Sequence, residues 1–263
     1  MILDRFRLDG RVALVTGAGR GIGAGIAVAF AEAGADLVCA ARTPAQLDET
    51  AARVRALGRR ALVAPTDVTD PAQLERLVAA ALAEYGRLDV LVNNAGGTPP
   101  RAALDTSLEF FEKAYRFNTS SAFLLTKLCA PRLAESPGGG AVVNVSSRAG
   151  AMVQSGFVAY GAAKAALNFA TRVLAAEFAP KVRVNVIEVG GVETSALELV
   201  VSDPELRARL ERNTPMRRVG QVEDVAACAL YLASPASSWV TGKLFAVDGG
   251  VEAPAIQFPT RPL

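Results

Sequence analysis

Seven short runs of apolar and β-branched residues alternate with longer segments of helical periodicity, and this alternation constrains the fold more than any other feature. The predicted strands are residues 12–16, 37–41, 61–65, 88–92, 141–145, 182–187 and 244–247. The predicted helices are residues 23–33, 46–57, 72–85, 108–133, 158–178 and 222–233. Strands that alternate with helices form right-handed βαβ units with a parallel sheet. The sequence therefore predicts an α/β fold, a doubly wound seven-stranded parallel sheet with helices on both faces.

The length of the chain predicts one domain over residues 1–263, because 263 residues are within the range that a single α/β domain fills. Segment 195–219 departs from the alternation with two short helical patterns. It follows a strand end, where an α/β fold places loops over its ligand, so we predict a substrate lid there. The tail 253–263 contains three prolines and is predicted to be extended. Its apolar side chains motivate the hypothesis that it packs across a subunit boundary near a substrate cleft.

Composition restricts the chemistry and the partners. The chain has no histidine, which removes the commonest general base and metal ligand, and no metal site is predicted. Its three cysteines are far apart and lack CxxC spacing, which favours reduced, buried thiols. The net charge is +2 and the basic residues are scattered, so we expect a small-molecule substrate and neither nucleic acid nor membrane as partner. The charged N-terminus MILDRFRLDG lacks an apolar signal region, which predicts a cytoplasmic protein.

A glycine-rich turn joins the first predicted strand to the first helix. It reads Gly17-Ala18-Gly19-Arg20-Gly21-Ile22-Gly23. Glycines allow a tight turn whose backbone N–H groups approach a pyrophosphate, and the helix N-terminus adds partial positive charge. A purely structural turn is the alternative, but the position at the first strand–helix junction favours nucleotide binding.

The order of several motifs resembles the short-chain dehydrogenase/reductase family over nearly the whole chain. The motifs are Thr16-Gly17-x-x-x-Gly21-Ile22-Gly23, Asn93-Asn94-Ala95-Gly96, Asn118, Ser147, Tyr160-x-x-x-Lys164 and Val247-Asp248-Gly249-Gly250. This resemblance implies a Rossmann-type fold and a nicotinamide cofactor. It implies that the cofactor contacts Asp67 and Val68 at the adenine, Asn94, Ala95 and Gly96 at the ribose, and Val192 and Thr194 at the nicotinamide. It also implies a homotetramer, or a homodimer, with helices 108–133 and 158–178 at one interface.

The residues after the second strand favour NADP(H) over NAD(H). NAD-binding units usually carry an acidic residue at this position for the ribose 2′-hydroxyl. Here Ala41 is followed by Arg42, and Arg20 lies within the glycine turn. Two guanidinium groups attract a 2′-phosphate and can bind it through paired hydrogen bonds. A solvated surface charge is the alternative for each arginine.

Tyr160 and Lys164 are four residues apart in a predicted helix, so their side chains share a face. Reduction of a ketone needs a proton donor at the developing oxyanion, and a nearby ammonium group favours the phenolate of tyrosine. The resemblance assigns Tyr160 as acid/base, Lys164 as ribose anchor and pKa modulator, Ser147 as stabiliser of the substrate oxygen and Asn118 as part of a proton relay. Ser146 is the alternative serine, but the thirteen-residue spacing to Tyr160 favours Ser147.

These features predict an NADP(H)-dependent oxidoreductase that interconverts a carbonyl and a secondary alcohol. Family members that reduce enoyl thioesters usually have Tyr and Lys farther apart, so carbonyl chemistry is favoured over C=C reduction. Compatible substrates include 3-oxoacyl, steroid and polyketide ketones and sugars. The alternatives are an NAD-dependent alcohol dehydrogenase and a non-catalytic NADP-binding sensor or scaffold. After the sixth strand the family commonly has Asn-x-Ile-x-Pro-Gly, whereas this chain has Val189 in place of the proline, and Glu188 and Glu193 are interpreted as solvated.

Overall fold

The computed structural model describes residues 1–194, 197 and 202–256 and contains one seven-stranded parallel sheet. The strand order is β3-β2-β1-β4-β5-β6-β7. The strands are β1 Val12–Thr16, β2 Asp36–Ala41, β3 Ala61–Pro65, β4 Val90–Asn93, β5 Gly140–Ser147, β6 Val182–Val189 and β7 Leu244–Val247. The order reverses between β1 and β4, so a crevice forms at the carboxyl ends of these strands, where open α/β sheets bind ligands.

Helices cover both faces of the sheet. They are α1 Gly21–Glu32, α2 Pro44–Ala56, α3 Pro71–Tyr85, α4 Leu108–Tyr115, α5 Ser121–Leu133, α6 Val158–Phe178, α7 Pro204–Asn213 and α8 Val222–Ala233. Two apolar clusters fill the space between helices and sheet, one beneath α1 and α8 and the other beneath α3 and α5. Because apolar residues cover both faces, β1 and β4 are buried along their full length. The α/β fold predicted from the alternation is confirmed.

Side-chain caps and glycines set the helix boundaries. Asp70 accepts hydrogen bonds from the N–H groups of residues 72 and 73 at the start of α3, and Asp203 caps α7 in the same way. Gly86 follows α3 with a φ of 72°, a left-handed conformation that ends a helix at little cost for glycine. Such local signals explain why the predicted boundaries of most elements agree with the structure to within two residues.

One predicted helix is interrupted. The segment 108–133 was predicted as a single helix, but a π-helical turn, Arg116–Ser120, separates α4 from α5. The backbone stays helical through the turn, so periodicity alone does not reveal the change. A π-turn widens the helix by one residue and often occurs at functional sites. Here it contains Asn118.

The predicted lid and tail are only partly described. Within segment 195–219, α7 is the described helix, and the other predicted pattern lies outside the described residues. The tail is described as far as Ile256, without helix or strand, and its remaining residues lie outside the described part of the chain. No helix in the described ranges is both long and apolar enough to cross a membrane.

Candidate active site

The glycine turn packs directly against the residues that follow β4. Gly17 has a φ of 66°, and a Cβ on it would lie 2.6 Å from Nδ2 of Asn94. A Cβ on Gly23 would lie 2.3 Å from the carbonyl oxygen of Gly17. Gly21 also has a positive φ, of 55°, and its nearest side chain is that of Thr194 at 3.4 Å. The turn therefore has no room for side chains at Gly17 and Gly23, and at Gly21 the positive φ disfavours one.

Thr16 and Asn94 hold this turn in place. The hydroxyl of Thr16 accepts hydrogen bonds from the backbone N–H groups of Asn94 and Ala95, at 3.0 and 3.1 Å. The Asn94 side chain in turn donates to the carbonyl oxygens of Thr16 and Gly17, at 2.9 and 3.3 Å. These bonds join the ends of β1 and β4 across the point where the strand order reverses. Sequence reasoning quoted Thr16 in the motif but gave it no role.

The two arginines predicted to select the cofactor lie on neighbouring exposed surfaces. A Cβ on Gly19 would be 3.6 Å from Cβ of Ala41, so the residues that precede Arg20 and Arg42 are in contact. Both arginines are exposed. Among the described residues, neither guanidinium has a hydrogen-bond or ion-pair partner. The structure thus leaves both cations available to an anion beside the turn.

The predicted adenine contacts follow β3 at the same edge of the sheet. Asp67 accepts hydrogen bonds from the backbone and the hydroxyl of Thr69, at 2.9 and 2.8 Å, and its own N–H donates to Gln73. Val68 is 7% exposed and packs in the core. The carboxylate of Asp67 therefore stabilises the loop in which it lies, and the hydrogen bond to Gln73 fixes that loop against α3.

Tyr160 and Lys164 lie on one face of α6, as predicted. The Nζ atom of Lys164 is 5.8 Å from the centre of the Tyr160 ring and donates to the carbonyl oxygen of Val145 at 2.8 Å. Lys164 is 3% exposed. Burial lowers the pKa of Lys164 to about 8. It raises the pKa of Tyr160, and a hydrogen bond with Ser147 opposes that rise.

The structure separates the two candidate serines. Ser147 interacts with Tyr160, and its hydroxyl also accepts a hydrogen bond from the backbone N–H of Ala149 at 3.2 Å. Ser146 is 4% exposed, and its hydroxyl lies 3.5 Å from the carbonyl oxygen of Lys164. Successive side chains of a strand point to opposite faces, so only one of the two can reach Tyr160. That serine is Ser147.

The side chains of Asn118 and Lys164 both pack against the backbone of Gly96. A Cβ on Gly96 would be 2.8 Å from Oδ1 of Asn118 and 3.1 Å from Nζ of Lys164. The Asn118 side chain accepts a hydrogen bond from the N–H of Gly97 at 2.8 Å and donates to the carbonyl of Ala114 at 2.9 Å. The structure therefore brings together the four predicted catalytic residues and the loop after β4.

The loop after β6 closes the same region. Val192 is 5% exposed and forms a bridge to Gly220, and the hydroxyl of Thr194 lies 3.4 Å from the carbonyl of Val192. The interpretation of Glu188 as solvated is wrong. Glu188 is 4% exposed and pairs with Arg148, because it belongs to β6 and points into the protein. Glu193 is partly exposed and pairs with Arg207.

An apolar cavity of about 560 Å³ lies beside these residues. Its walls come from residues 102–104, from residues 149 and 152–158, and from the start of α6. None of the lining residues in the described part of the chain is charged. Gly161 in its wall follows Tyr160, and Ala149 is the residue that hydrogen-bonds Ser147. The cavity is thus a candidate space for an apolar ligand next to the candidate catalytic residues.

Comparison with known proteins identifies the family of this chain. A family model described as enoyl-(acyl carrier protein) reductase matches residues 17–252. An uncharacterised oxidoreductase of Mycobacterium tuberculosis (strain CDC 1551 / Oshkosh) is 49% identical over 259 residues, with 98% of each chain covered. The 7alpha-hydroxysteroid dehydrogenase of Escherichia coli K12 is 38% identical over 248 residues, covering 94% of this chain and 96% of that protein.

Solved structures agree in fold over almost the full length. A 7alpha-hydroxysteroid dehydrogenase complexed with NADH and 7-oxo glycochenodeoxycholic acid has a TM-score of 0.90 and 38% identity, with 94% of this chain and 96% of that chain covered. A short-chain type dehydrogenase/reductase from Mycobacterium marinum has a TM-score of 0.91 and 35% identity, with 97% of this chain and 100% of that chain covered.

Proposed function

We propose that this chain, which belongs to the short-chain dehydrogenase/reductase family, is an NADP(H)-dependent enzyme that interconverts a carbonyl and a secondary alcohol. The family membership makes it an oxidoreductase of CH–OH and C=O groups. One observation carries the proposal: Ser147, Tyr160, Lys164 and Asn118 converge beside the glycine turn at the carboxyl edge of the sheet. These side chains are the acid/base and oxygen-binding groups that carbonyl reduction needs.

The residues of this chain suit a nicotinamide cofactor. Gly17 and Gly23 have no room for a side chain, so the backbone of the turn can approach a pyrophosphate there, and α1 begins within the turn. When bound, the cofactor supplies or accepts the hydride. Lys164 and Asn94 would hold the ribose end, and Val192 and Thr194 would hold the nicotinamide end.

Tyr160 and Ser147 are the two residues that would contact the substrate oxygen. Ser147 would donate a hydrogen bond to the oxygen and orient it, and the Tyr160 hydroxyl would donate the proton during reduction. In oxidation the phenolate would take the proton from the alcohol. The ammonium group of Lys164 would stabilise the negative charge of that phenolate. Asn118, through its contact with the Gly96 loop, would help to position the groups that relay the proton to Lys164.

The preference for NADP(H) is supported by Arg20 and Arg42. Both are exposed beside the turn without a partner among the described residues, and no acidic residue occupies the position after β2. A 2′-phosphate placed there would meet two guanidinium groups. The structure of a related dehydrogenase contains NADH, so this fold can bind a nicotinamide cofactor. That NADH belongs to the relative and does not decide the cofactor preference of this chain.

The cofactor proposal is tested by Arg42→Asp. A carboxylate there repels a 2′-phosphate and accepts hydrogen bonds from a ribose 2′-hydroxyl, so kcat/KM should fall with NADPH and rise with NADH. Arg53→Asp is the matched control, since Arg53 is an exposed arginine of α2 away from the turn. An unchanged NADPH/NADH ratio in Arg42→Asp contradicts the proposal and favours the NAD-dependent alternative.

We further propose an apolar carbonyl substrate, such as a steroid or polyketide ketone or a 3-oxoacyl thioester. The described residues that line the cavity beside Tyr160 include no charged side chain, and one relative is a hydroxysteroid dehydrogenase. The family model's description names enoyl reduction. The four-residue spacing of Tyr160 and Lys164 and the dehydrogenase names of the relatives favour carbonyl reduction instead.

The experiment that tests the activity follows NADPH absorbance with steroid ketones, 3-oxoacyl thioesters and enoyl thioesters. Tyr160→Phe should bind NADPH as the wild type does and lose turnover, because it removes only the proton donor. Tyr115→Phe, an exposed tyrosine of α4, should keep turnover. Tight NADPH binding without turnover of any substrate by the wild type favours the sensor or scaffold alternative.

We propose that the protein assembles as a homotetramer, or a homodimer, through α4, α5 and α6. These helices expose the apolar side chains of Leu108, Phe123 and Phe169 at 73%, 48% and 67%, and a subunit interface would bury them. Phe169→Glu should reduce the mass measured by light scattering. An unchanged mass contradicts this interface. The cytoplasmic location, the lid and the tail across a subunit boundary remain predictions.

A further inference from the structure

Three strands end side by side next to Ser147, and their following residues meet. In the register of the sheet, Ser147 pairs with Val189, and Val189 pairs with Val247. The next residues are Arg148, Gly190 and Asp248. A Cβ on Gly190 would lie 2.6 Å from Cα of Asp248, so the start of the loop after β6 passes directly against Asp248.

Arg148 joins these strand ends through ion pairs. Its guanidinium lies 3.1 Å from a carboxylate oxygen of Glu188 in β6 and 2.8 Å from Oδ2 of Asp248 after β7. It also donates to the carbonyl of Val251 at 3.3 Å. The side chains of Arg148, Glu188 and Asp248 are only 15%, 6% and 9% exposed. Among the described residues, Arg148 is the one cation between these two carboxylates, so removing it would leave both buried without a charged partner in the cluster, which is strongly unfavourable.

The cluster also reaches the helix that carries Tyr160 and Lys164. Asn168 lies four residues after Lys164 on the same face of α6, and its Nδ2 donates to Glu188 at 2.7 Å. The ends of β5, β6 and β7 and the middle of α6 are therefore connected through three charged side chains and one amide.

The C-terminal segment starts from the same cluster and continues to the lid. The N–H of Met216 donates to the carbonyl of Gly249 at 3.1 Å, and the side chain of Asn213, at the end of α7, donates to the carbonyl of Ala255 at 2.8 Å. Gln154, from the loop before α6, donates to the carbonyl of Ile256 at 3.1 Å. The segment 251–256 thus spans from the Ser147 side of the site to α7.

We propose that Arg148 is a positioning residue, which clamps the ends of β5, β6 and β7 and thereby holds Ser147, the 190–194 loop and the C-terminal segment in the arrangement needed for turnover. This inference rests on the proposed carbonyl/alcohol activity. The Ser147 hydroxyl is held on one side by Ala149 of the following turn, and the Arg148 side chain anchors that turn from the opposite side. Arg148 itself does not touch the substrate oxygen in this mechanism.

The test compares Arg148→Met with Arg87→Met. Arg87 pairs with Asp89 at the opposite edge of the sheet, and the Asp89 side chain is fully buried, so both variants remove the cation that pairs with a buried carboxylate. Arg148→Met should lower kcat by about 100-fold, the effect of misplacing a reacting group by about 1 Å. Its Kd for NADPH should rise by far less than kcat falls, because the glycine turn, which would hold the pyrophosphate, is untouched and only the nicotinamide end of the site is loosened. Arg148→Lys should recover part of the kcat.

A second measurement does not depend on turnover. Hydrogen exchange of the amides in 251–256 and 190–194 should become faster in Arg148→Met and stay unchanged in Arg87→Met. Wild-type kcat in Arg148→Met, or the same loss of kcat in both variants, overturns the inference. If Arg148→Met does not bind NADPH, Asp248→Asn decides. A fall in kcat that is larger than the rise in its Kd for NADPH supports the clamp, and an unchanged kcat overturns it.

The same experiments separate this inference from the proposed function. If the wild type turns over no carbonyl or alcohol, the proposed function fails, and the hydrogen-exchange comparison still decides whether Arg148 clamps the segment. If the wild type turns over substrate but Arg148→Met exchanges and reacts as the wild type does, only the positioning role of Arg148 is wrong.

Discussion

Replacing Gly23 with alanine should weaken cofactor binding strongly while the protein still folds. An ideal Cβ on Gly23 would lie 2.3 Å from the carbonyl oxygen of Gly17 and 2.4 Å from Nδ2 of Asn94. An ordinary contact starts at 3.4 Å, so the glycine turn has to move by about 1 Å. The nearest of these atoms belongs to the backbone of the turn, which cannot rotate away as the end of a long side chain does.

The expected magnitudes differ for stability and for binding. Alanine gains roughly 0.5–1 kcal/mol over glycine in a helix, and overpacking costs roughly 1–3 kcal/mol, so the net loss of stability is about 1–2 kcal/mol. A displaced turn also loses one or two hydrogen bonds to a charged phosphate, worth roughly 1.5–3 kcal/mol each. Since 1.4 kcal/mol corresponds to a factor of about ten, the Kd for NADPH should rise by about 10- to 100-fold or more.

Gly25→Ala is the matched control for this experiment. Gly25 lies two residues further along α1, and its Cβ would lie 2.1 Å from Cγ1 of Val222 in α8. This variant should lose stability through the contact of α1 with α8 and keep its Kd for NADPH. Fluorescence titration with NADPH and urea unfolding of both variants measure the two effects. A wild-type Kd in Gly23→Ala, or an equal rise in both variants, refutes the reasoning.

Three further predictions concern pH and stability. Ser147→Ala removes the hydrogen bond that opposes the raised pKa of Tyr160, so the acidic limb of alcohol oxidation, which needs the phenolate, should move to higher pH; an unmoved limb contradicts this. Burial lowers the pKa of Lys164 to about 8 from 10.5, so the native state binds fewer protons than the unfolded state between these values. The cost of burying the protonated Lys164 therefore acts in full below pH 8. From pH 8 to 10.5, the stability of the wild type relative to that of Lys164→Met should rise by on the order of 1 kcal/mol per pH unit. Unfolding both proteins at several pH values measures this difference. Asn144→Ala removes the two buried hydrogen bonds that Asn144 makes with Asn93 and Thr171 and should cost about 2–4 kcal/mol in urea unfolding; a loss below about 0.5 kcal/mol contradicts this.

The sheet was predictable because its signals are local. Each strand is a short apolar run, and most helices begin or end at a proline, an aspartate cap or a glycine that the sequence displays. The amino end of β4 is an exception, because the apolar residue Leu88 is buried yet precedes the strand, which starts at Val90. A pattern of apolar residues indicates which residues are buried. It predicts a strand boundary correctly only where burial and strand pairing begin at the same residue.

The charge cluster around Arg148 was not predictable from the sequence. Arg148, Glu188 and Asp248 are separated by 40 and 60 positions, and each alone resembles a surface charge. Only the register of β5, β6 and β7 brings them together, because the residues after three adjacent strands meet at one edge. The departure from the family pattern at Val189 indicates an unusual loop, but it does not indicate that the carboxylate of Glu188, the preceding residue, is buried.

Strand alternation explains how pairs of identical neighbours divide between the core and the site. Asn93 points inward, and its Nδ2 donates to Asn144 at 2.8 Å, whereas Asn94 points to the glycine turn. Likewise Ser146 is buried against α6, whereas Ser147 reaches Tyr160. Since the period of a strand is two, one member of each pair stabilises the sheet and the other serves the site. A shift of one residue in β4 or β5 would therefore exchange these roles and abolish the site, so the buried asparagine ladder that fixes the register of these strands also fixes the catalytic geometry.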